Sequence, residues 1–488
     1  MENPPGIPPP YIVRAGAPLP PSSLSIVSYN VMMPNEHDGW WMYKMYKPRL
    51  DRTPSAHSAW PMRQALLRAR IASASADVVC IQEACGATED AAGLDDFAFM
   101  RELGYEGRAV AGRGRMRCAT FWRTSRVVLI GEPVSVHRDL IARFEVRRSA
   151  EDDAVAPAGR TQTNSSVWVI NCHLPAGHQA ARQLQSLHKM TEKVRKLSKA
   201  PEHTRGDECA SGAAAVAPRV VIVGDFNSDA SPSIGAAASS LDLFLRQGAC
   251  PKGFVDPATA ALLCRKKPKK QPFGAFLDAY EECFCSSKEA GSPPPPSVVY
   301  PHLYARFLEP SASSSRTEEE PSVSTMSAAL VASLTRMFAR YGGGEGRLSR
   351  SGVEAWDAVT RVGAPAPKGA ASAIMDRKRA EGQAEELTLS EFLRIYQSCL
   401  DDGKPWEVAH DVWATGDEAG CLPPIDELPA ALGAPYCARF DRIWHNAGLR
   451  TVAVLRPRTE DEAVANEPLP NAWSPSDHLM LGASFALE

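Results

Sequence analysis

The chain has 488 residues, of which 44% are hydrophobic and 23% charged, and its formal net charge is −3 at pH 7. The length indicates about two to four domains, and the composition is that of a globular protein that can bury a large core. A charge so close to zero excludes attraction to nucleic acid through a general excess of positive charge, so any contact with a polyanion must be local.

The cysteines and the start of the chain exclude further classes. The 12 cysteines form no C-x-x-C pair, so neither a zinc site nor a disulfide framework is predicted. No apolar run approaches the roughly 18 residues that span a bilayer. Residues 1–23 are rich in proline and lack the plan of a secretory signal. We therefore expect a flexible N-terminal tail over 1–23 and an intracellular, cytoplasmic protein without a transmembrane segment.

From residue 24 the chain alternates short β-branched runs with amphipathic stretches. The pattern predicts strands at 25–31, 77–83, 119–122, 127–130, 167–173 and 219–227. It predicts helices at 63–75 and 179–197, and strands return at 439–444, 451–455 and 479–486.

The pattern between these two groups of strands is different. Residues 305–324 are a low-complexity linker that cannot build a core, and helical periodicity dominates 325–432. A strand-rich body, a helical segment and strands again predict one domain inserted in another. The body would comprise 24–304 and 434–488. A basic run at 265–270 is either a contact for a polyphosphate substrate or a solvated loop.

Polar residues lie at the ends of several predicted strands or in the adjoining loops. They are Asn30, Glu83, His173, Asp225 with Asn227, and Asp477 with His478. An α/β sheet presents ligand-binding residues where strands meet loops. Carboxylate and amide oxygens suit Mg²⁺ or Mn²⁺, whereas the histidines are too few and too badly spaced for zinc. Hydrolysis of a phosphate ester needs a cation, a carboxylate that activates water and donors to the phosphoryl oxygens, and this set contains all three.

Each of these residues alone has a simpler interpretation. A glutamate at a strand end is usually a solvated loop residue, and a single histidine is more often structural than functional. The turn at 224–227 could be an ordinary Asx turn. The order of the motifs along the chain is what these interpretations do not explain.

That order resembles the endonuclease/exonuclease/phosphatase superfamily, which includes deoxyribonuclease I, apurinic endonucleases, inositol-polyphosphate phosphatases, nocturnin and the poly(A) deadenylases. The segments that carry the resemblance are Tyr29-Asn30-Val31, Ile81-Gln82-Glu83, Asn171-Cys172-His173-Leu174, Gly224-Asp225-Phe226-Asn227, Phe440-Asp441-Arg442-Ile443 and Ser476-Asp477-His478. The resemblance implies a four-layer α/β sandwich, in which two packed β-sheets are flanked by helices, and divalent-metal-dependent hydrolysis of a phosphate ester.

The resemblance also implies a role for each site residue. The residues implied at the Mg²⁺ or Mn²⁺ site are Asn30, Glu83 and Asp477. The implied catalytic roles are contact with the scissile phosphate for His173, activation of water for Asp225, and orientation of water and phosphate for Asn227. Asp441 falls where the family places a buried carboxylate, and His478 is expected to stabilise the charge of the pentacovalent phosphorus.

The substrate class is narrowed only in part. The string Pro475-Ser476-Asp477-His478 resembles the nocturnin and deadenylase branch. The inositol phosphatase branch is less well matched, because Phe440 and Ile222 stand where that branch has cysteine and tryptophan. We therefore expect a phosphodiester in nucleic acid or a nucleotide as substrate. A phospholipid or inositol-phosphate substrate is the enzymatic alternative, and a catalytically idle scaffold is a third hypothesis, against which the complete set of site residues argues.

The inserted module resembles EF-hand proteins and the EF-hand-containing members of the superfamily. One loop aligns on Gly346, a second places Glu391 at loop position twelve, and a third aligns on Gly420. The carboxylates that they offer to calcium are Glu345, Glu391, Asp417 and Asp426. Because Ca²⁺ takes six to eight oxygens, no loop supplies enough charged ligands. We predict EF-hand ancestry without tight calcium binding, and a structural role or a protein partner for the module.

Overall fold

The structure of the chain is a computed structural model, and it describes residues 11–13, 23–34, 59–85, 94–111, 116–147, 166–176, 180–199, 217–228, 240–248, 272–285, 296–300, 326, 328–342, 346–361, 370–401, 408, 411–412, 415, 436–456 and 474–487. Within these ranges no helix combines the length and the apolar character that a membrane span requires. The linker predicted at 305–324 and the basic run at 265–270 lie outside the described residues.

The strands are, in chain order, β1 (Tyr11–Val13), β2 (Ser23–Asn30), β3 (Val78–Cys85), β4 (Tyr105–Ala109), β5 (Arg117–Arg123), β6 (Val127–Leu129), β7 (Val134–Val136), β8 (Asp139–Val146), β9 (Ser166–His173), β10 (Arg219–Asp225), β11 (Phe276–Asp278), β12 (Val298–Tyr300), β13 (Arg347–Ser349), β14 (Glu386–Thr388), β15 (Tyr436–Ala438), β16 (Asp441–Asn446), β17 (Leu449–Leu455) and β18 (Leu481–Leu487). The longer ones are rich in β-branched residues and buried along most of their length, as expected of strands that are covered on both faces.

The α-helices are α1 (Trp60–Ala74), α2 (Phe99–Glu102), α3 (Ala180–Ser198), α4 (Ser240–Gln247), α5 (Ala279–Cys285), α6 (Ala328–Gly342), α7 (Arg350–Arg361), α8 (Ala370–Ala380) and α9 (Leu389–Asp401). Helix α1 begins with a proline in its first turn and ends on Ser75, which adopts the left-handed conformation common at helix ends.

The strands of the body form two mixed sheets. The first has seven strands in the order β1-β17-β18-β2-β3-β5-β4. The second has the order β11-β16-β10-β9-β8-β6, and β7 pairs with β8. In each sheet one central pair is parallel, β2 with β3 and β9 with β10. Since parallel neighbours start and end together, the carboxyl ends of these central strands meet at one edge of each sheet.

Three hydrophobic clusters show that the layers are stacked. One contains residues from both sheets, such as Ile26 of β2 and Val221 of β10, and lies between them. A second joins β2 and β3 to α1 through Leu67 and Ile71. A third joins β9 and β10 to α3 and α4. The architecture is therefore helix, sheet, sheet, helix, in agreement with the predicted sandwich of two sheets flanked by helices.

The helical module follows β12 and precedes β15, and these two strands pair antiparallel with each other as a stem. Helices α6 to α9 share one core, in which Trp356, Phe392 and Tyr396 pack at ring-centroid distances of 5.3 to 6.3 Å. The stem residues Val298 and Ala438 belong to the same core. The module is thus packed directly onto the strands through which it leaves and re-enters the body.

One prediction for the N-terminal segment requires correction. Residues 11–13 of the segment expected to be a flexible tail form the edge strand β1, paired antiparallel with β17 from Tyr11↔Leu455 to Val13↔Ala453. The run Tyr11-Ile12-Val13 has the aromatic and β-branched residues that favour strands, and β17 offers it a sheet edge. The other boundaries move by a few residues: α1 begins at Trp60, for example, and not at residue 63.

Candidate active site

Three predicted site residues lie side by side across the second sheet. Asp225 ends β10, and its registered partners are His173 at the end of β9 and Asp441 at the start of β16. All three are buried, with at most 4% of the residue surface exposed. Because residues in one register row project their side chains in the same direction, the topology brings together groups that are far apart in sequence.

The turn after β10 fixes Asp225. Gly224 has φ of 141°, and a Cβ at this position would overlap the carbonyl oxygen of Cys172 on β9, so a side chain does not fit there. The Asn227 backbone N–H donates to Asp225 Oδ1 at 2.8 Å, and the Asn227 side-chain amide donates to Leu174 O at 2.9 Å. The turn is therefore an Asx turn, as the simpler interpretation allowed, but one that orients a buried carboxylate.

Asn30 connects the two sheets at the site. It ends β2 in the first sheet, and its Nδ2 donates to Glu83 Oε1 at 3.2 Å and to Asp225 Oδ2 of the second sheet at 3.0 Å. Its Oδ1 accepts the Met32 backbone N–H at 3.0 Å. Asn30 is thus held in place on both sides of its amide group.

Glu83 has an unusual backbone conformation. Its φ is 58°, in the left-handed region that residues other than glycine seldom adopt, and the pairing of β3 with β5 shifts register at this point. The irregularity lets β3 place the Glu83 carboxylate at the same edge as Asn30, 3.7 Å from His173 Nε2. Left-handed residues that persist in a strand often serve a functional site.

The segment before β18 completes the cluster. Ser476 Oγ donates to Asn30 O at 2.7 Å and accepts the His478 backbone N–H at 3.2 Å. Asp477 and His478 are both buried, and His478 Nε2 lies 3.8 Å from Asp477 Oδ2 and from Asp225 Oδ2. His478 Nδ1 lies 2.7 Å from Asp441 Oδ2. The side chains of the other predicted site residues therefore meet at one place, and Asn227 joins them through its backbone N–H.

The two histidines have opposite pKa shifts. Burial lowers the pKa of His173 to about 4, although the Asp225 carboxylate acts in the other direction. Burial also acts to lower the pKa of His478, but the carboxylates of Asp441, Asp477 and Asp225 outweigh it and raise that pKa well above its ordinary value. At neutral pH the site therefore holds one neutral imidazole and one imidazolium around the same Asp225 oxygen.

The carboxylates of the site fit a divalent cation. Burial and the neighbouring Asp477 and Asp225 carboxylates raise the pKa of Glu83 to about 7. The three carboxylates therefore repel one another, and a cation bound among them would offset that repulsion. An oxygen-rich, buried set of this kind suits Mg²⁺ or Mn²⁺. Ligand atoms of Asp225, Asp441 and His478 also lie within 4.8 Å of one another. That trio is the poorer site, because His478 bonds to Asp441 and its raised pKa keeps it protonated and unable to ligate.

Supporting residues at the site carried little or no signal in the sequence. Ser297 belongs to no recognisable motif. Its Oγ accepts the Asp441 N–H at 2.8 Å, and its carbonyl accepts the Leu479 N–H at 2.7 Å. Asp139 accepts the His173 N–H at 2.9 Å. Arg63 did carry a signal: it stands on the buried stripe of α1, between Trp60 and Leu67, where an apolar residue is expected.

Arg63 links the two segments that bear the metal-site candidates. Its guanidinium donates to the carbonyls of Val31 at 2.7 Å, Met33 at 2.5 Å and Pro475 at 3.1 Å. Val31 directly follows Asn30, and Pro475 lies two residues before Asp477. One buried side chain thus fixes loops that are more than 400 residues apart in sequence.

Of the candidate calcium ligands, Glu391 is the one that falls within the described residues. Glu345, Asp417 and Asp426 lie outside the described residues. Glu391 lies at the start of α9, where its carboxylate contacts Lys378 and Thr388. Among the described residues of the module, no group of histidine, cysteine or carboxylate side chains assembles into a metal-sized cluster.

Residues 27–478 match the model of the endonuclease/exonuclease/phosphatase family. No curated protein sequence matches the chain. Solved structures that are similar include ANGEL2, described as a 2′,3′-cyclic phosphatase (15% identity, 95% of each chain covered, TM-score 0.46). Human nocturnin has 12% identity over 96% of this chain and 94% of that one, with a TM-score of 0.39. Zebrafish (D. rerio) TDP2 with a single-strand DNA product has 14% identity over 95% and 99%, with a TM-score of 0.37. Because the family match spans most of its length, the chain belongs to the endonuclease/exonuclease/phosphatase family of enzymes that hydrolyse phosphate esters.

Proposed function

We propose that the chain is a divalent-metal-dependent phosphodiesterase that acts on nucleic acid or a nucleotide. The observation that carries the proposal is the environment of Asp225, whose Oδ2 lies 3.6 Å from the neutral His173 and 3.8 Å from the protonated His478. A carboxylate between a neutral and a charged imidazole can take a proton while the charged group faces the phosphoryl oxygens.

Glu83 and Asp477 would hold the cation, with Asn30 beside them. Bound there, Mg²⁺ or Mn²⁺ would supply neutralisation of the charge that develops on the phosphate. The Asn30 amide donates to Glu83 and Asp225, so it fixes the geometry of both carboxylates. Its Oδ1 has a second lone pair besides the one that accepts the Met32 N–H, and this lone pair is the one it can offer to a cation.

The remaining residues divide the work on water and phosphate. Asp225 takes the proton of the attacking water, and Asn227 helps to orient that water beside it. His478 keeps its proton because Asp441 holds Nδ1, and its Nε2 then donates to the phosphoryl oxygens as negative charge grows on them. His173, which is neutral, donates a hydrogen bond to the phosphate without contributing charge. Asp441 acts through His478 and is a positioning residue.

The proposal of a nucleic-acid or nucleotide substrate has a narrower basis. The string 475–478 is similar to that of the nocturnin and deadenylase branch, and Phe440 and Ile222 depart from the inositol phosphatase pattern. A phospholipid or inositol phosphate is the alternative substrate class. A catalytically idle scaffold would be free to lose some of the buried carboxylates, and all of them are present.

We also propose that the helical module is a pair of EF-hand-like units and serves as a partner-binding element. Two helix–loop–helix units, α6–α7 and α8–α9, join through the antiparallel pairing of β13 with β14. In this pairing Leu348 stands opposite Leu387. Counted from Tyr341 and Ala380 as loop position one, both leucines are at position eight, so the two loops meet symmetrically.

One activity panel tests the proposed reaction. The purified chain, with Mg²⁺ and again with excess chelator, is offered single-stranded RNA, abasic DNA, an inositol polyphosphate and sphingomyelin, and an Asp225→Asn variant serves as the inactive control. Cleavage of RNA or DNA that depends on both the metal and Asp225 is the expected result. Cleavage of the inositol phosphate or the lipid alone would overturn the substrate class. Failure of a folded chain to cleave any of them would favour the scaffold.

A further inference from the structure

The second loop of the helical module places a lysine where an EF-hand binds its ion. In a calcium-binding EF-hand loop, position seven contributes its backbone carbonyl and position twelve a bidentate glutamate. With Ala380 at position one, these positions are Glu386 and Glu391. Lys378 Nζ lies 2.7 Å from the Glu386 carbonyl oxygen and 2.8 Å from each of the two Glu391 carboxylate oxygens.

We propose that the Lys378 ammonium is the resident cation of this loop, so that the module folds and stays closed without calcium. The ammonium makes the contacts with positions seven and twelve that a metal would make, and its side chain reaches them from the last turn of α8. This inference concerns the module alone. It goes beyond the proposed phosphodiesterase activity and stands or falls independently of it.

The rest of the loop matches an ammonium ion better than a metal ion. Positions one, three and five are Ala380, Gly382 and Ala384, which have no side-chain oxygen. Calcium takes six to eight oxygen ligands, whereas a lysine ammonium has three N–H donors. The Glu386 carbonyl oxygen and the two Glu391 carboxylate oxygens together offer one acceptor for each of these three donors. The loop therefore satisfies a lysine and leaves calcium under-coordinated.

Neither of two simpler interpretations accounts for all of these contacts. Thr388 and Glu391 form a capping box at the start of α9: the Thr388 N–H donates to Glu391 Oε2 at 2.9 Å, and the Glu391 N–H donates to Thr388 Oγ1 at 3.3 Å. The capping box explains why a glutamate stands there, but not why Lys378 also binds the Glu386 carbonyl. The pair also differs from a freely exposed surface ion pair, since the side chains of Lys378 and Glu391 are 16% and 26% exposed.

The two ends of the first loop contact each other. Counted from Tyr341, its position twelve is Gly352, whose Cα packs so closely on the Tyr341 carbonyl that a Cβ there would overlap the oxygen. Positions one and twelve, which flank the ion in a calcium site, are thus in direct contact. Around Gly346 the loop keeps the left-handed glycine expected at its centre, with φ of 70°. In the first loop the two ends touch, and in the second loop Lys378 contacts positions seven and twelve.

The test uses the full chain and a matched pair of variants. Lys378→Met removes the ammonium and keeps an apolar stem, and Arg377→Met removes the same charge from the neighbouring exposed position of α8. Hydrogen exchange of peptides that cover residues 386–401 is measured by mass spectrometry with excess chelator and with ~5 mM CaCl₂, a level far above sensor affinities. Exchange in the wild type should be the same in both conditions. Lys378→Met should exchange about 3- to 10-fold faster than Arg377→Met, because the loop has lost its cation.

A second pair of variants distinguishes replacement of calcium from simple stabilisation. Ala380→Asp with Ala384→Asp gives the loop side-chain oxygens at positions one and five. Calcium should slow exchange when Lys378→Met accompanies these two changes and have no effect when Lys378 is kept, because two cations cannot share one pocket. Slower exchange of the wild-type chain in calcium would overturn the proposal. Equal exchange of Lys378→Met and Arg377→Met would overturn it as well.

Discussion

His478 Nδ1 and Asp441 Oδ2 lie 2.7 Å apart in a pair that is almost fully buried. Asp441 begins β16, and its backbone N–H is held by Ser297 Oγ, so the carboxylate has a fixed position. Since the carboxylate accepts from Nδ1, the imidazole must present Nε2 toward Asp225. The arrangement fixes both the ring orientation and the location of its proton, as a carboxylate–histidine pair does in other active sites.

The first prediction concerns this pair. Asp441→Asn keeps the shape of the side chain but removes the charge that orients His478. We expect kcat to fall by about 10- to 100-fold while KM changes little, because the loss arises after substrate has bound. Asp278→Asn is the control, since Asp278 is also buried on the same sheet and pairs with Arg439 at 2.6 Å. The control should lower the unfolding temperature without changing kcat. Equal kinetic losses in both variants would assign Asp441 a purely structural role.

The second prediction concerns Asp225. Asp225→Asn preserves the turn, since an asparagine oxygen can still accept the Asn227 N–H, but it removes the base. We expect kcat to fall by at least ~100-fold with KM nearly unchanged. Steady-state kinetics at saturating Mg²⁺ are the measurement. A kcat within a few-fold of the wild-type value would mean that another group accepts the proton of water.

The third prediction concerns the cation. Glu83→Gln removes one charge from the buried carboxylates and should raise the Mg²⁺ concentration needed for half-maximal activity by at least ~10-fold. The control is Glu282→Gln, which changes a carboxyl group that lies against His445 and away from the site. Its Mg²⁺ requirement should match that of the wild type. Full turnover of the wild type in excess chelator would contradict metal dependence altogether.

The strands could be predicted from local signals, and the sandwich that they build was implied by the resemblance to the superfamily. Buried strands such as β9 and β10 are continuous apolar runs, and each ends in the polar residue that the site uses. The register row Asp441, Asp225 and His173 follows once these strands pair. The strand-end pattern predicted that Asp225 and His173 would lie close together, whereas Asp441 was implied by the resemblance alone. Their detailed roles are still predictions.

Other features could not be read from the sequence because they depend on contacts between distant segments. Nothing in the local pattern around Ser297 indicates that its hydroxyl and carbonyl bind Asp441 and Leu479. The strand at 11–13 pairs with β17, whose residues 453–455 lie more than 400 positions along the chain. In the module, the EF-hand alignment identified Glu391 as a ligand candidate, but it did not consider Lys378, which lies before the loop that was aligned.

The fourth prediction concerns Arg63, whose guanidinium joins the loop after Asn30 to the loop before Asp477. Arg63→Lys keeps the charge but cannot reach three carbonyls in the same geometry. We expect the half-saturating Mg²⁺ concentration to rise about 3- to 10-fold, because two metal-site segments lose their common support. Arg117→Lys, another buried arginine that donates to a carbonyl, that of Val110, should reduce stability and leave the Mg²⁺ requirement unchanged. The same Mg²⁺ requirement in both variants would refute the positioning role.

The fifth prediction is a pH dependence of stability in the module. Burial acts to raise the pKa of Glu391, but the Lys378 ammonium and hydrogen bonds from Thr388 outweigh it and lower this pKa from 4.5 to about 2. A carboxyl whose pKa is lower in the folded state stabilises the fold above its unfolded pKa. That stabilisation is lost as the pH falls from about 4.5 toward 2. Lys378→Met removes a main cause of the shift, so it should also remove most of this pH dependence.

The measurement is the difference between Lys378→Met and Arg377→Met in the hydrogen exchange of residues 386–401, followed from pH 6 to pH 3 and corrected for the intrinsic exchange rate at each pH. The difference should be largest near pH 6, where Glu391 is ionised in both the folded and the open state. It should shrink steadily below pH 4.5. There Glu391 binds a proton in the open state but not in the closed state, because Lys378 keeps it ionised when the loop is closed. Using Arg377→Met as the reference cancels the titration of all other carboxylates, since both variants lose one positive charge from α8. A difference that is constant over the whole range would show that Lys378 stabilises the loop by packing and not by its charge on Glu391.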